Sequence, residues 1–305
     1  MAFSALLKKL SQKQPVLLAG AVGTEIQRRG VRTTLPLWSA SALETDPDVV
    51  EAIHRDYIDA GAELITTNTF RTNPRTFEKI GRRDSAKSLT LMACNLARNA
   101  ITASRKRDVY LGGSMAPVED CYRLDLVPPD DELEREHDEV AGWFAEAGVD
   151  FLLLETLHCR REANAAIRAA HKTGIPFAVS FLCDPNGNLF SGESLEDAVH
   201  EAVDNGAFAI LTNCRPLDVI SSSVEKLIKI SPVPVGVYAN GDGHPDDAEG
   251  WLFEGQHPEE RYADFAKRWL DAGVSIIGGC CGTTPEYIKR LRQLMDDRSG
   301  ALLSR

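Results

Sequence analysis

Three of the seven cysteines in this chain of 305 residues are placed for chemistry. Cys214 closes the stretch 207–214 (AFAILTNC), and the Cys280-Cys281 pair closes 274–281 (VSIIGGCC). Three thiolates gathered from two such ends match a zinc site that keeps its fourth position open. Neighbouring residues of a strand point to opposite faces. Both members of the pair can therefore meet one ion only if the backbone bends, which Gly278, Gly279 and Gly282 would permit. The competing reading is three small buried thiols that merely fill space, the commoner fate of a cysteine. Cys94, Cys121, Cys159 and Cys183 lack such framing and read as structural. The seven histidines form no H-x-H or H-x-x-x-H pair, and none is assigned to a metal.

Glu155 ends the apolar run 151–154 (FLLL). A carboxylate in that setting must be paired or hydrogen-bonded. One reading pairs it with Arg160 or Arg161; the other gives it a cationic group of a substrate. Asn68, Ser114 and Asn213 occupy comparable ends of apolar runs and are candidate binding residues, or else caps of helices. Thr67, Thr156 and Asn240 complete this polar set.

These residues need a frame that brings run ends together. Four segments share one pattern: an acidic residue, a small residue and Gly, at 59–61, 146–148, 204–206 and 271–273, each followed by a short apolar run. Gly there suits the left-handed turn that closes a helix. The runs are too short for helices and nearly unbroken, as in strands buried on both faces. Four more runs, 16–19, 109–113, 177–182 and 233–239, fall between them, two opened by Pro176 and Pro232. From Leu17 to Ile277, eight strand centres are spaced by about 37 residues on average, the size of one strand-helix unit. Helices are expected from Asp46-Pro47 onward, over 130–147, and from Ser194, whose Asp197 makes a loose capping box. No G-x-G-x-x-G or phosphate-loop motif supports an open doubly wound sheet. The expectation is an α/β chain forming one (β/α)8 TIM barrel domain over residues 1–305, with its chemistry at the C-terminal strand ends. Residues 240–260, rich in Gly, Pro and acid but holding Trp251, Leu252 and Phe253, form either a solvated insertion or a lid.

Composition narrows the partners. Of the residues, 43% are hydrophobic and 26% charged, which is globular, not disordered. A net charge of −11 argues against nucleic acid and anionic membranes. No apolar run nears the ~20 residues of a membrane span, and the start carries lysines after a short apolar patch, the reverse of a secretory signal. A cytoplasmic location with reduced thiols is expected. The sequence leaves a homo-oligomer open.

In order along the chain stand GAVGTE (20–25), TNTF (67–70), GSMAP (113–117), LLLET (152–156), TNC (212–214) and GGCCGTTP (278–285). The set resembles the zinc-dependent homocysteine S-methyltransferase family, which includes betaine- and S-methylmethionine-using enzymes and the homocysteine domain of methionine synthase. The resemblance runs from Val16 to about Leu294. It implies a (β/α)8 barrel, Zn2+ on Cys214, Cys280 and Cys281, the sulfur of homocysteine as incoming ligand, and methionine as product. It also implies small-molecule partners only. One motif departs: many relatives carry L-D-G, whose aspartate helps hold the homocysteine ammonium, where this chain has Leu18-Ala19-Gly20, so the resemblance implies that Glu155 carries that task alone or with backbone carbonyls. With 305 residues, no folate- or cobalamin-binding domain is expected, nor the long C-terminal extension of betaine-using relatives, since the sequence stops 20 residues after Pro285. S-Methylmethionine or S-adenosylmethionine is thus expected over betaine. Another thiol or selenol, a corrinoid partner protein, or a non-catalytic zinc- or thiol-binding barrel are the alternatives.

Overall fold

A computed structural model of the chain describes residues 2–246 and 250–303. Eight parallel strands form one sheet: β1 (Val16–Leu17), β2 (Leu64–Thr66), β3 (Tyr110–Met115), β4 (Phe151–Leu157), β5 (Phe177–Phe181), β6 (Ala209–Asn213), β7 (Val235–Ala239) and, after the separate pair β8 (Gly243–Asp246) and β9 (Gly250–Phe253), β10 (Ile276–Gly279). Their order is β1-β10-β7-β6-β5-β4-β3-β2. A parallel bridge from Leu18 to Leu64 brings the two edges together and closes the barrel. Helices connect successive strands, as the repeat requires.

The four repeated glycines end their helices in the left-handed region, with φ of +108° at Gly61, +67° at Gly148, +94° at Gly206 and +113° at Gly273. Ser194 caps the helix Leu195–Asp204 by accepting the amide of Asp197 at 3.2 Å. Asp46 differs from expectation. It precedes the helix Pro47–Asp59, but its backbone carbonyl, not its side chain, takes the amides of Val49 and Val50.

Alternation along the strands divides the core in two. Leu152 and Leu154 of β4 pack with the surrounding helices, whereas Phe151 and Leu153 point into the barrel with Leu64, Leu211 and Ile276. The parity matters for function, because the next inward position after Phe151 and Leu153 is Glu155. The same count along β3, β5, β6 and β7 brings Ser114, Ser180, Asn213 and Tyr238 inward.

The chain start seals the other end. The helix Ala2–Ser11 buries Leu6 and Leu10 against the barrel interior, and Phe3 meets Tyr110, Phe151 and Phe208 at ring distances of 5.9, 5.8 and 5.3 Å. Gly112 makes room for this aromatic floor, since a Cβ there would lie 2.4 Å from the Phe151 ring.

Candidate active site

At the C-terminal end of the barrel the three cysteines converge. One sulfur from each of Cys214, Cys280 and Cys281 lies within 4.8 Å of the others, and Cys214 Sγ is 3.9 Å from Cys281 Sγ. Cys280 follows the inward parity of β10. Cys281 is turned to the same side by a tight turn in which Thr283 N–H donates to the Cys280 carbonyl at 3.1 Å, with Gly282 at φ +76°. Gly282 alone of the three framing glycines supplies a left-handed bend. Gly278 and Gly279 serve close packing instead: a Cβ on the first would lie 2.7 Å from Leu18 Cβ, and on the second 2.3 Å from Thr283 Oγ1.

Cys214 is itself left-handed, φ +59°, directly after β6. Thr156, next to Glu155, has φ +63° where the β4–β5 register shifts. Non-glycine residues in this region cost about 1–3 kcal/mol and persist only where their surroundings hold them. Asn213 is the holder. Its Oδ1 accepts the Thr156 amide at 3.2 Å and the Ser180 hydroxyl at 2.7 Å, and its Nδ2 donates to Thr156 Oγ1 at 2.8 Å. Asn213 is fully buried and does not border the cavity.

The thiols share charge. Hydrogen bonds from Cys280 and Cys281 hold Cys214 well below the usual thiol range, and donating to it pushes Cys280 and Cys281 up. The Tyr122 hydroxyl lies 3.3 Å from Cys214 Sγ and donates to the Cys214 carbonyl at 3.2 Å.

Glu155 is bound neither to Arg160, which pairs with Asp197 and Glu201, nor to Arg161, which pairs with Asp130. Instead Ser114 donates to Oε1, and Tyr238 donates to Oε2 at 3.2 Å. Burial pushes this carboxyl up to about 7, against the two hydrogen bonds that favour its ionised form. Asn68 borders the same space, its Nδ2 tied to the Ser39 carbonyl at 2.9 Å.

All three cysteines, Glu155, Ser114, Asn68 and Ala19 line one cavity of about 960 Å³. Residues 243–253 are not a bare loop. β8 (Gly243–Asp246) and β9 (Gly250–Phe253) form an antiparallel hairpin whose Pro245, Asp246, Gly250 and Trp251 wall the cavity, as a lid would; residues 247–249 lie outside the described residues. Sequence reasoning missed Tyr122, Tyr238 and Arg71. Tyr238 was recoverable from parity along β7, whereas Tyr122 and Arg71 sit in connections with no periodic signal. Arg71 borders the cavity with its guanidinium over Phe70 at 5.7 Å and its Nε buried without a partner; among the described residues it makes no ion pair.

A family model described as homocysteine S-methyltransferase matches residues 16–295. The chain belongs to the homocysteine S-methyltransferase family. Homocysteine S-methyltransferase of Escherichia coli (strain K12) is 31% identical over 306 residues, covering 94% of this chain and 97% of that one. Selenocysteine Se-methyltransferase of Brassica oleracea var. italica is 27% identical over 309 residues, covering 92% and 89%. The crystal structure of the E. coli homocysteine methyltransferase MmuM in its metallated form matches with a TM-score of 0.82 at 28% identity, over 96% of this chain and 99% of that chain. Family membership makes this protein a methyltransferase working on small molecules. No helix among the described residues is long and apolar enough to cross a membrane.

Proposed function

We propose that this enzyme moves a methyl group from a sulfonium donor to the thiol of homocysteine, giving methionine, with Zn2+ held by Cys214, Cys280 and Cys281. The observation that carries this reading is the convergence of three sulfurs within 4.8 Å on the wall of a cavity that also holds Glu155. The donor set fits the ion: three thiols, with no fourth His, Cys, Asp or Glu ligand grouped with them among the described residues, leave one position for an incoming sulfur. Bound there, zinc would keep the acceptor deprotonated, since the thiolate and not the thiol is the nucleophile.

The chain's own groups do the rest. Glu155, ionised, receives the acceptor ammonium, and Ser114 and Tyr238 fix its orientation while leaving lone pairs on both oxygens. Asn68 stays candidate for a polar contact at the cavity wall. Asn213 acts from below, holding the Thr156 turn that aims Glu155. Transfer then needs in-line placement only: the sulfur–carbon bond forms as the donor's breaks, and its electron pair returns to the sulfonium. The unpaired Arg71 and the cavity-lining Trp38, Phe70 and Tyr122 suit a donor bearing both a carboxylate and a methylated cation. S-Methylmethionine and S-adenosylmethionine meet both needs, as betaine also does. The hairpin excludes water above them. All seven cysteines are free, which supports a reducing, cytoplasmic setting.

Incubating the protein with homocysteine and each of S-methylmethionine, S-adenosylmethionine and betaine tests the reading by methionine formation. No methionine from any donor would sink it. A second acceptor is favoured by Ala19, which puts a methyl group where an anion would help hold an ammonium. Competition between homocysteine and 4-mercaptobutyrate, the same thiol chain without the ammonium, measures that preference.

A further inference from the structure

A second group of ligating side chains lies where the helix Arg160–Thr173 leaves the end of β4. His158, Cys159 and Glu162 each present one ligand atom there, all within 4.8 Å of one another. Their spacing explains the gathering: Cys159 is the residue before the helix, His158 precedes it, and Glu162 sits in the first turn. None is a surface group, with His158 and Glu162 fully buried and Cys159 7% exposed.

The local helix start does not use these side chains. Cys159 makes no side-chain cap. Glu162 Oε1 takes the Val118 amide at 2.8 Å and faces His137 Nε2 at 3.3 Å, which leaves Oε2 with no partner. Neither ring nitrogen of His158 has a hydrogen bond, and its Nδ1 stands 3.9 Å from Glu162 Oε2, beyond hydrogen-bond reach. Buried polar atoms are almost always satisfied. Here a nitrogen and an oxygen without partners face each other beside a thiol.

We propose that His158, Cys159 and Glu162 form a second metal site, taking a divalent transition-metal ion of zinc type, separate from the cysteine trio. Imidazole, thiolate and carboxylate are the donors such an ion prefers. One thiolate and one carboxylate also cancel its two charges, so the buried site carries no net charge. Nitrogen and oxygen donors at ~2.0–2.2 Å from a tetrahedral ion stand roughly 3.3–3.6 Å apart, so the 3.9 Å pair must close by about half an ångström. His137 and the Val118 amide hold the carboxylate from behind, the support that metal ligands generally need. The role is structural. Through Glu162 the ion would tie the start of this helix to the connection after β3 that carries Cys121 and Tyr122 into the cavity.

Counting ions tests this without any reference to methyl transfer, so failure of the catalytic reading leaves the test intact. Each protein is loaded with Zn2+ or Co2+, dialysed, and its metal measured per chain. Two equivalents are expected in the wild type. A Cys214→Ser/Cys280→Ser/Cys281→Ser variant should keep one, and with Co2+ should show weak single-thiolate charge transfer that disappears on adding Cys159→Ser. A His158→Gln/Cys159→Ser protein should keep only the equivalent at the trio. Should that double variant fail to fold, the triple variant, which changes none of the three cluster residues, decides alone. No metal in the triple variant would overturn the proposal and leave an ordered water as the partner of His158 and Glu162.

Discussion

The two ends of the barrel are built on opposite principles. Its floor is dry and regular: Phe3, Phe151 and Phe208 pack ring against ring, and Leu6, Leu10, Leu64 and Ile276 fill the remaining space. Its mouth is polar and strained, with Thr156 and Cys214 left-handed, Glu155 ionisable and half-buried, and three thiols sharing charge. One strand can serve both ends. In β4 the inward positions run Phe151, Leu153, Glu155, from floor to chemistry in five residues. The lesson is a division of labour: apolar burial at the floor supplies stability that the mouth spends on geometry.

That division can be broken from either side. The largest effect is expected from Cys280→Ala, which should remove the ion at the trio and drop methyl transfer to background while thermal unfolding stays near that of the wild type. Metal analysis and a melting curve check both halves; global unfolding of the variant would contradict the division. Phe151→Ala should do the reverse, costing about 3–5 kcal/mol of stability, with turnover kept below the lowered melting temperature. Denaturant unfolding reads the loss.

Glu155→Gln should weaken acceptor binding by about 1.5–3 kcal/mol, the worth of a charge-assisted hydrogen bond, and slow saturated turnover less. The sign with pH follows from burial. The carboxyl loses its proton only as pH rises through about 7, so wild-type affinity for the ammonium should be weak below that pH and level off above it. In the glutamine variant the step near pH 7 should vanish, leaving only the steady slope that comes from release of the acceptor's thiol proton; titration calorimetry across pH 6–8 would show it.

Asn213→Ala sits at the junction. Leaving the Thr156 amide and the Ser180 hydroxyl unsatisfied should cost about 1–3 kcal/mol of stability, and affinity for the acceptor should fall with it as Glu155 loses its support. Unchanged binding in a destabilised variant would assign Asn213 to stability alone. The smallest effect is expected from Ala19→Asp. A second carboxylate beside the ammonium should tighten homocysteine binding by ~1 kcal/mol if partly solvated. Calorimetry showing no gain would tell against an acceptor with its ammonium near β1.

Much of this was legible in the chain itself. The repeated glycines and unbroken apolar runs announced a barrel because left-handed helix ends and doubly buried strands leave strong local marks. The cysteine trio was legible for the same reason, as it sits at the ends of two such runs. What surrounds the trio was not. Ser114 and Tyr238 reach Glu155 only through strand register, which no single segment encodes. Asn213 looked like a ligand group from its place in TNC, yet parity turns its amide toward Thr156 and Ser180. The tight packing at Gly278 and Gly279 depends on Leu18 and Thr283, contacts made across the closed barrel.

The closure itself bears on how the protein comes into being. Ala21 N–H donates to Thr283 Oγ1 at 3.3 Å, a contact between residues 262 positions apart, and Val16 pairs with Ile276 of the last strand. Contacts of such separation carry a large loop-closure cost and slow folding. During synthesis, which adds roughly 5–20 residues per second, β1 waits for nearly the whole chain before it finds its second neighbour. Cys214 likewise emerges well before the pair it joins. The thiol cluster is therefore among the last parts of the molecule to assemble, together with the floor itself, which Ile276 of the same last strand completes.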